Sequence, residues 1–232
     1  KVRIKDAVSD KPGRLVSEDC LPVIIGNPQP FSSRGGFKLE HALKQFDILP
    51  VGKTVVDVGA STGGFTDCLL QKGAEKVYAV DVGYGQLDWK LRNDPRVICR
   101  DRKNARTLSK EDIGETLDMA VIDVSFISLQ LVIPPLLKIL KPEGQLVALV
   151  KPQFEVGKND MEHRGIIKDP TKHISVLLQL NRFIEEKEWS IINATESPIT
   201  GQKGNREFLI HCVDNRYGKP VEEDTLRKIV LN

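Results

Sequence analysis

The chain has 232 residues, 40% hydrophobic and 28% charged, with 34 Lys and Arg against 32 Asp and Glu for a formal net charge of +2. That balance is ordinary for a globular fold and excludes a disordered or fibrous chain, and the length suits one large domain or one domain with a small appendage. No stretch approaches the ~18 uninterrupted apolar residues of a membrane helix, and the charged opening from Lys1 to Asp6 is unlike a signal core, so no membrane partner and a cytoplasmic location are expected.

Residues 1–30 hold short alternating apolar runs, Val2-Arg3-Ile4 and 21–25, separated by the turn-like Lys11-Pro12-Gly13. Two or three small strands are expected there. Gly26-Asn27-Pro28-Gln29-Pro30 disfavours both helix and ladder, which puts a boundary near Phe31. From Thr54 onward β-branched runs alternate with helical patterns, the mark of a mostly parallel sheet with helices on both faces. Strands are expected at 54–58, 76–80, 96–99, 119–122, 145–150, 190–195 and 207–212, and helices at 35–46, 65–72, 129–140 and 171–186. The last two strands are joined too tightly for a helix between them, so an antiparallel hairpin should close the sheet.

Cys20, Cys68, Cys99 and Cys212 form no C-x-x-C pair, and His41, His163, His173 and His211 are equally scattered. Neither a disulfide framework nor a metal site is expected. With so small a net charge, affinity for nucleic acid must come from local clusters. Arg34 with Lys38, residues 158–168, and Lys203 with Arg206 are the candidates, each equally readable as a solvated surface.

The clearest chemical signal is Val55-Val56-Asp57-Val58-Gly59-Ala60-Ser61-Thr62-Gly63-Gly64-Phe65, a strand breaking into glycines and opening a helix. Gly59 and Gly63 permit positive φ and close backbone approach, and the helix start offers unpaired amides to a polar ligand. One strand later comes Asp81, 24 residues after Asp57, placed to accept both ribose hydroxyls of an adenosine. The glycine spacing departs from G-x-G-x-x-G and favours S-adenosyl-L-methionine over a dinucleotide. Asp57 is then expected near the methionine amino group or capping the glycine turn, and Asp101 near adenine or in a solvated charge run. Asp123 ends the fourth strand of the main sheet at its carboxyl edge, where ligands bind in open α/β sheets. Lys151 follows five apolar strand residues, and its ammonium would be costly to bury without a partner. Asp123 on the adjacent strand is the obvious one.

Taken together, Ser33-Arg34-Gly35-Gly36-Phe37-Lys38-Leu39, the Asp57 to Phe65 turn, Asp123-Val124-Ser125-Phe126-Ile127-Ser128-Leu129, Lys151-Pro152-Gln153-Phe154-Glu155, and Ser197-Pro198-Ile199 through Gly204-Asn205-Arg206-Glu207 closely resemble the TlyA-type proteins. These are rRNA methyltransferases with an FtsJ-like catalytic domain, often labelled hemolysin A. The resemblance runs from about Ser32 to Val213. It implies a Rossmann-like class I methyltransferase fold with a seven-stranded sheet in 31–232. It also implies a partial S-four-type RNA-binding segment and linker in 1–30, the first half of that small domain lying before Lys1. Carried onto this sequence, the family's catalytic group falls on Lys38, Asp123, Lys151 and Glu207. Lys151 would touch a ribose 2′-hydroxyl, the carboxylates would orient the lysines, and Lys38 would steady the oxygen. The implied cofactor is S-adenosyl-L-methionine, held by Asp57, Gly59, Ser61, Gly63, Gly64, Phe65, Asp81, Asp101 and Asp123. The implied partner is ribosomal RNA or a ribosomal subunit, met by Arg34, Lys158, Lys203 and Arg206. The loop 153–169 is long for a compact domain and is expected to be mobile without RNA. Competing readings are a cytolysin, suggested only by the label and opposed by the lack of an apolar span, and a small-molecule methyltransferase, which would not need paired lysines.

Overall fold

The computed structural model describes residues 2–4, 7–9, 15–17, 20, 21, 23, 24, 29–157, 165–201 and 203–231, and the chain divides into two units, 1–30 and 31–232. In the first unit β1 (Val2–Ile4), β2 (Ala7–Ser9) and β3 (Val23–Ile24) pair antiparallel in the order β2-β1-β3. The expected turn at Lys11-Pro12-Gly13 lies outside the described residues.

The second unit is built on a seven-stranded sheet. Its strands are β4 (Thr54–Val58), β5 (Lys76–Val80), β6 (Val97–Arg100), β7 (Leu117–Ile122), β8 (Leu140–Val150), β9 (Trp189–Glu196) and β10 (Phe208–Asp214), in the order β6-β5-β4-β7-β8-β10-β9. The first five run parallel, and β10 runs antiparallel to both β8 and β9. Both expectations, the mostly parallel sheet and the closing hairpin, are met. A bulge between His211 and Cys212 adds a residue to the hairpin ladder.

Eight α-helices are described: α1 (Gly35–Gln45), α2 (Gly64–Gln71), α3 (Trp89–Arg92), α4 (Lys110–Ile113), α5 (Leu129–Leu137), α6 (Pro152–Glu155), α7 (Pro170–Glu185) and α8 (Glu223–Leu231). Side chains alternate across a strand, so each central strand feeds two cores. Val56, Val58, Ala120, Ile122, Leu146, Ala148, Phe208 and Ile210 join α5, α7 and α8 on one face. Val55, Val77, Ala79, Val121, Val147, Leu149 and Leu209 join α1 and α2 on the other. Each fully buried Leu or Val contributes about 1.5–3 kcal/mol by leaving water, which is why both faces must be covered.

Besides the single-turn helices α3, α4 and α6, the last at the start of the expected loop, two longer elements depart from the sequence reading. Helix α5 stops at Leu137 rather than reaching Leu140, because Leu140 already pairs with Leu117 and begins the long strand β8. Helix α8 was not expected, since Leu226 and Val230 are its buried positions in an otherwise charged run. Those two residues, four apart, cover α7 and the β9 side of the sheet.

Candidate active site

The alternation that builds the core also builds the site. Continuing the α1-side face past each strand end gives Asp57 within β4, Asp81 after β5, Asp123 after β7 and Lys151 after β8. Glu207 lies on the same face just before β10, two residues from Leu209. Because β10 runs antiparallel, its beginning sits at the carboxyl edge of the parallel strands. Odd-numbered residues of five strands therefore converge on the face that α1 covers.

Helix α1 brings the second lysine. Its start packs against the start of α2 so closely that a Cβ on Gly64 would lie 2.2 Å from Ser33 Oγ and 2.9 Å from the Gly36 amide. Any side chain at Gly64 would push α1 outward. In this seat Lys38, 9% exposed, donates from Nζ to Glu207 Oε2 at 2.5 Å, and Glu207 is itself buried. A few ångströms of sequence-distant chain are thus tied across 169 residues.

Lys151, 8% exposed, pairs with Asp123 Oδ1 at 2.6 Å and donates to Ser125 Oγ at 2.9 Å. Asp123 is held by its amide, which donates to Val58 O at 2.9 Å, and its Oδ2 faces the start of α1. Two ion pairs, Lys38–Glu207 and Lys151–Asp123, thus stand at the carboxyl edge of the sheet, the first buried and the second half-open through Asp123. Burying three of these four charges is costly and by itself is weak support for stability, so a functional demand is the better account of them.

The glycine turn lies beside these pairs. Gly59 has φ of +86°, and a Cβ there would sit 2.3 Å from the carbonyl oxygen of Asp123, so the close approach of the two strand ends needs glycine. Gly63, φ +96°, caps α2, and Ser61 also takes a left-handed φ of +49°. Phe65 is buried beneath the turn. Asp57 is fully buried, with Oδ2 accepting from Thr66 Oγ1 at 2.6 Å, while Oδ1 has no hydrogen-bond partner among the described residues. Loss of water raises its pKa to about 7, partly countered by the Thr66 hydroxyl. The carboxylate of Asp81 accepts from the amides of Ser61 at 2.8 Å and Gly83 at 2.7 Å. Asp101 pairs with Arg92, which holds its carboxyl below the usual range.

The positions expected to meet RNA separate. Arg34 and Lys203 are exposed, and Lys158 lies outside the described residues, as do 159–164 of the long loop. The guanidinium of Arg206 is committed to the fold: it forks onto Glu196 at 2.7 and 2.6 Å and donates to Val230 O at 2.8 Å. No local pattern signals this, because Glu196 and Val230 lie 10 and 24 residues from Arg206 along the chain.

Sequence reasoning also missed three contributors. Ser125 is the second anchor of Lys151. Glu155 accepts from Ser128 Oγ at 2.6 Å and from the Leu129 amide at 2.8 Å, bolting the segment after β8 to the start of α5. Phe126 is 90% exposed with φ of +64°, its ring 5.0 Å from that of Phe154. A bulky residue in that conformation stores strain, which the motif could have signalled only through its position next to Ser125.

Among the described residues no group of three His, Cys, Asp or Glu is arranged to hold a metal, and no helix is long and apolar enough to cross a membrane.

Comparison with known proteins gives a single direction. The profile described as FtsJ-like methyltransferase matches residues 31–213. The 16S/23S rRNA (cytidine-2′-O)-methyltransferase TlyA of Mycobacterium tuberculosis is 44% identical over 211 residues, 90% of this chain and 79% of that protein. Hemolysin A of Brachyspira hyodysenteriae is 44% identical over 207 residues, 89% of this chain and 85% of that one. A solved structure from Streptococcus thermophilus, provisionally named a hemolysin, superposes with a TM-score of 0.85 at 42% identity, covering 96% of this chain and 81% of that one.

Proposed function

The chain belongs to the FtsJ-like methyltransferase family, and from that premise we propose that it transfers a methyl group from S-adenosyl-L-methionine to a ribose 2′-hydroxyl of ribosomal RNA. The observation that carries the reading is the convergence of the Lys38–Glu207 and Lys151–Asp123 pairs on one sheet face, beside the glycine turn. The names of the TlyA relatives supply the substrate.

The site's donor set suits the cofactor. When bound, S-adenosyl-L-methionine supplies an electrophilic methyl group. The buried, partnerless Oδ1 of Asp57 suits its amino group, and the amides that open α2 suit a carboxylate. Asp81 spends two of the roughly four lone-pair positions of its carboxylate on Ser61 and Gly83, leaving capacity for ribose hydroxyls. Gly59, Ser61, Gly63 and Gly64 shape the cradle over Phe65, and Asp101 with the neighbouring backbone would border adenine.

A ribose hydroxyl is a poor nucleophile, so positioning and charge stabilisation must do most of the chemistry. An ammonium has three hydrogens, and Lys151 directs one at Asp123 and one at Ser125. The third is available to a substrate oxygen. Lys151 would hold that hydroxyl in line, Asp123 would fix Lys151 and, being partly open to solvent, pass the proton that the hydroxyl sheds on to water, and Lys38, oriented by Glu207, would offset charge that grows on the oxygen. The exposed ring of Phe126, adjoining Ser125, offers a face for stacking an unpaired base. Arg34 and Lys203 would follow the phosphate backbone, with Lys158 on the loop and the S-four-like unit of residues 1–30 as further RNA contacts. A cytoplasmic location follows from this substrate.

The test is tritiated-methyl transfer from S-adenosyl-L-methionine to ribosomal subunits. Transfer by the wild type with ribose-methylated nucleoside as product, and its loss in Lys151→Ala, is the expected result. Cofactor binding without transfer to any rRNA would overturn the reading.

A further inference from the structure

Asn205 and Arg206, the two residues before Glu207, are each tied down by hydrogen bonds of their side chains. Arg206 falls on the even-numbered face with Phe208, whose ring lies in the core with α7 and α8, while Glu207 and Leu209 lie on the α1 face. The sheet therefore separates the Arg206 guanidinium from the reaction site. Its fork grips Glu196 on β9, its Nη1 hydrogen bonds to Val230 O near the end of α8, and it lies 5.5 Å over the Phe208 ring. Glu196 is also the ladder partner of Phe208, so this ion pair spans the first rung of the hairpin.

Asn205 is 3% exposed. Its side-chain nitrogen donates to Gly165 O at 2.9 Å and its oxygen accepts from the Ile167 amide at 2.8 Å, while its own carbonyl accepts from the Gly201 amide at 2.9 Å. Ile167 O is met in turn by His173 Nε2 at 3.2 Å, and the His173 ring packs edge-on against Phe208. Between these anchors the carbonyl of Glu207 accepts from the Ser197 amide at 2.8 Å. A one-residue slip of a strand sends every side chain to the other face, so Glu207 reaches Lys38 only in this register.

We propose that Asn205 and Arg206 are positioning residues that hold the start of β10 in register and so aim Glu207 at Lys38, with Glu196 as the partner on which Arg206 acts. The inference rests on the reading of Glu207 as part of the methyl-transfer site. It replaces an RNA contact at Arg206 with an internal one. The consequence differs sharply: an RNA contact acts on substrate affinity, whereas a brace acts on the rate once substrate is bound.

The experiment compares Arg206→Ala, Glu196→Gln and the reversal Arg206→Glu with Glu196→Arg. Steady-state transfer to ribosomal subunits is measured across a subunit titration, and amide hydrogen exchange is followed across residues 196–210. Small misplacements of catalytic groups cost on the order of 100-fold, so the single variants should lose roughly 10- to 100-fold in kcat with KM for subunits within about twofold. Exchange at Glu207 and Phe208 should accelerate, and the reversal should recover at least about tenfold of the loss. Glu196→Gln keeps the side-chain volume, so it tests the idea even if Arg206→Ala folds poorly. A raised KM at unchanged kcat in Arg206→Ala, with Glu196→Gln indistinguishable from wild type, would establish an RNA contact and overturn the brace. Unchanged exchange in all variants overturns it as well. Because exchange is read without substrate, a wild-type protein that methylates no subunit refutes the proposed function alone.

Discussion

The carboxyl of Asp57 makes cofactor binding a titration. It is wholly buried, one oxygen holds Thr66, the other is unmatched, and burial raises its pKa to about 7. A cationic amino group placed against Oδ1 needs the ionised form, so binding must expel the proton whenever the free protein carries it. With a free-state pKa near 7, about 3% of the protein is ionised at pH 5.5 and about three quarters at pH 7.5. The ligand's amine, an amino acid's ammonium beside its own carboxylate, stays charged over that interval, so affinity should rise roughly 25-fold and level off above it. Calorimetric titration with S-adenosylhomocysteine from pH 5.5 to 8.5 reads this directly, with Asp57→Asn as the comparison. Asp57→Asn should bind more weakly and lose the rising limb. A flat profile in the wild type, or the same slope in Asp57→Asn, would refute the assignment. The sign for stability is opposite: between pH 3.8 and about 7 the unfolded chain has released a proton that the folded one keeps, so this group's contribution falls as pH rises.

Other outcomes follow from the same geometry. Lys151→Ala should leave S-adenosylhomocysteine affinity within about threefold while methyl transfer falls by 10²-fold or more, measured with tritiated cofactor on ribosomal subunits. Gly59→Ala puts a Cβ 2.3 Å from the Asp123 carbonyl at a φ of +86°, so both cofactor affinity and thermal stability should drop together in calorimetry. Phe126→Gly relieves a left-handed residue that is 90% exposed, and should raise stability by about 1 kcal/mol in urea titrations while weakening KM for subunits. His211 is buried with both ring nitrogens unpartnered among the described residues and its pKa lowered to about 4 by burial and by Lys53, so the unfolded chain takes a proton below pH 6.5 that the folded one refuses. Its contribution to stability should decline by about 2 kcal/mol from pH 7 to pH 5 while that of Asp57 rises, so His211→Phe should gain by about that amount relative to wild type across the interval in thermal melts.

The reason so much of this site could be read in advance is its periodicity. Five strands deliver their chemistry at odd-numbered positions beyond apolar runs, and an awkward polar residue at a strand end, such as Lys151, is visible without a structure. Lys38 is different: it sits among the buried positions of an amphipathic helix, and only packing through Gly64 and Gly36 turns it toward Glu207. Family resemblance supplied that pair because no local pattern could. Arg206 marks the opposite failure, a cation that looks solvent-bound in sequence and is tied to residues 10 and 24 positions away.

These two cases point to one physical rule for the site. Each of its lysines is neutralised by a carboxylate from a different element, Lys38 on α1 by Glu207 at β10 and Lys151 after β8 by Asp123 after β7. The Lys151–Asp123 pair needs β7 and β8 side by side, and the Lys38–Glu207 pair needs α1 docked on the sheet as well. Removing one member leaves a buried charge unmatched, a loss of about 3–5 kcal/mol where the site stays dry. Single alanine variants of Lys38 or Glu207 will therefore mix lost chemistry with lost stability. The double variant Lys38→Met with Glu207→Leu removes both charges at similar volume. It should melt within a few degrees of wild type yet transfer no faster than Lys38→Ala. A double variant that regained transfer along with stability would show that the pair serves the fold and leaves the chemistry to Lys151 and Asp123.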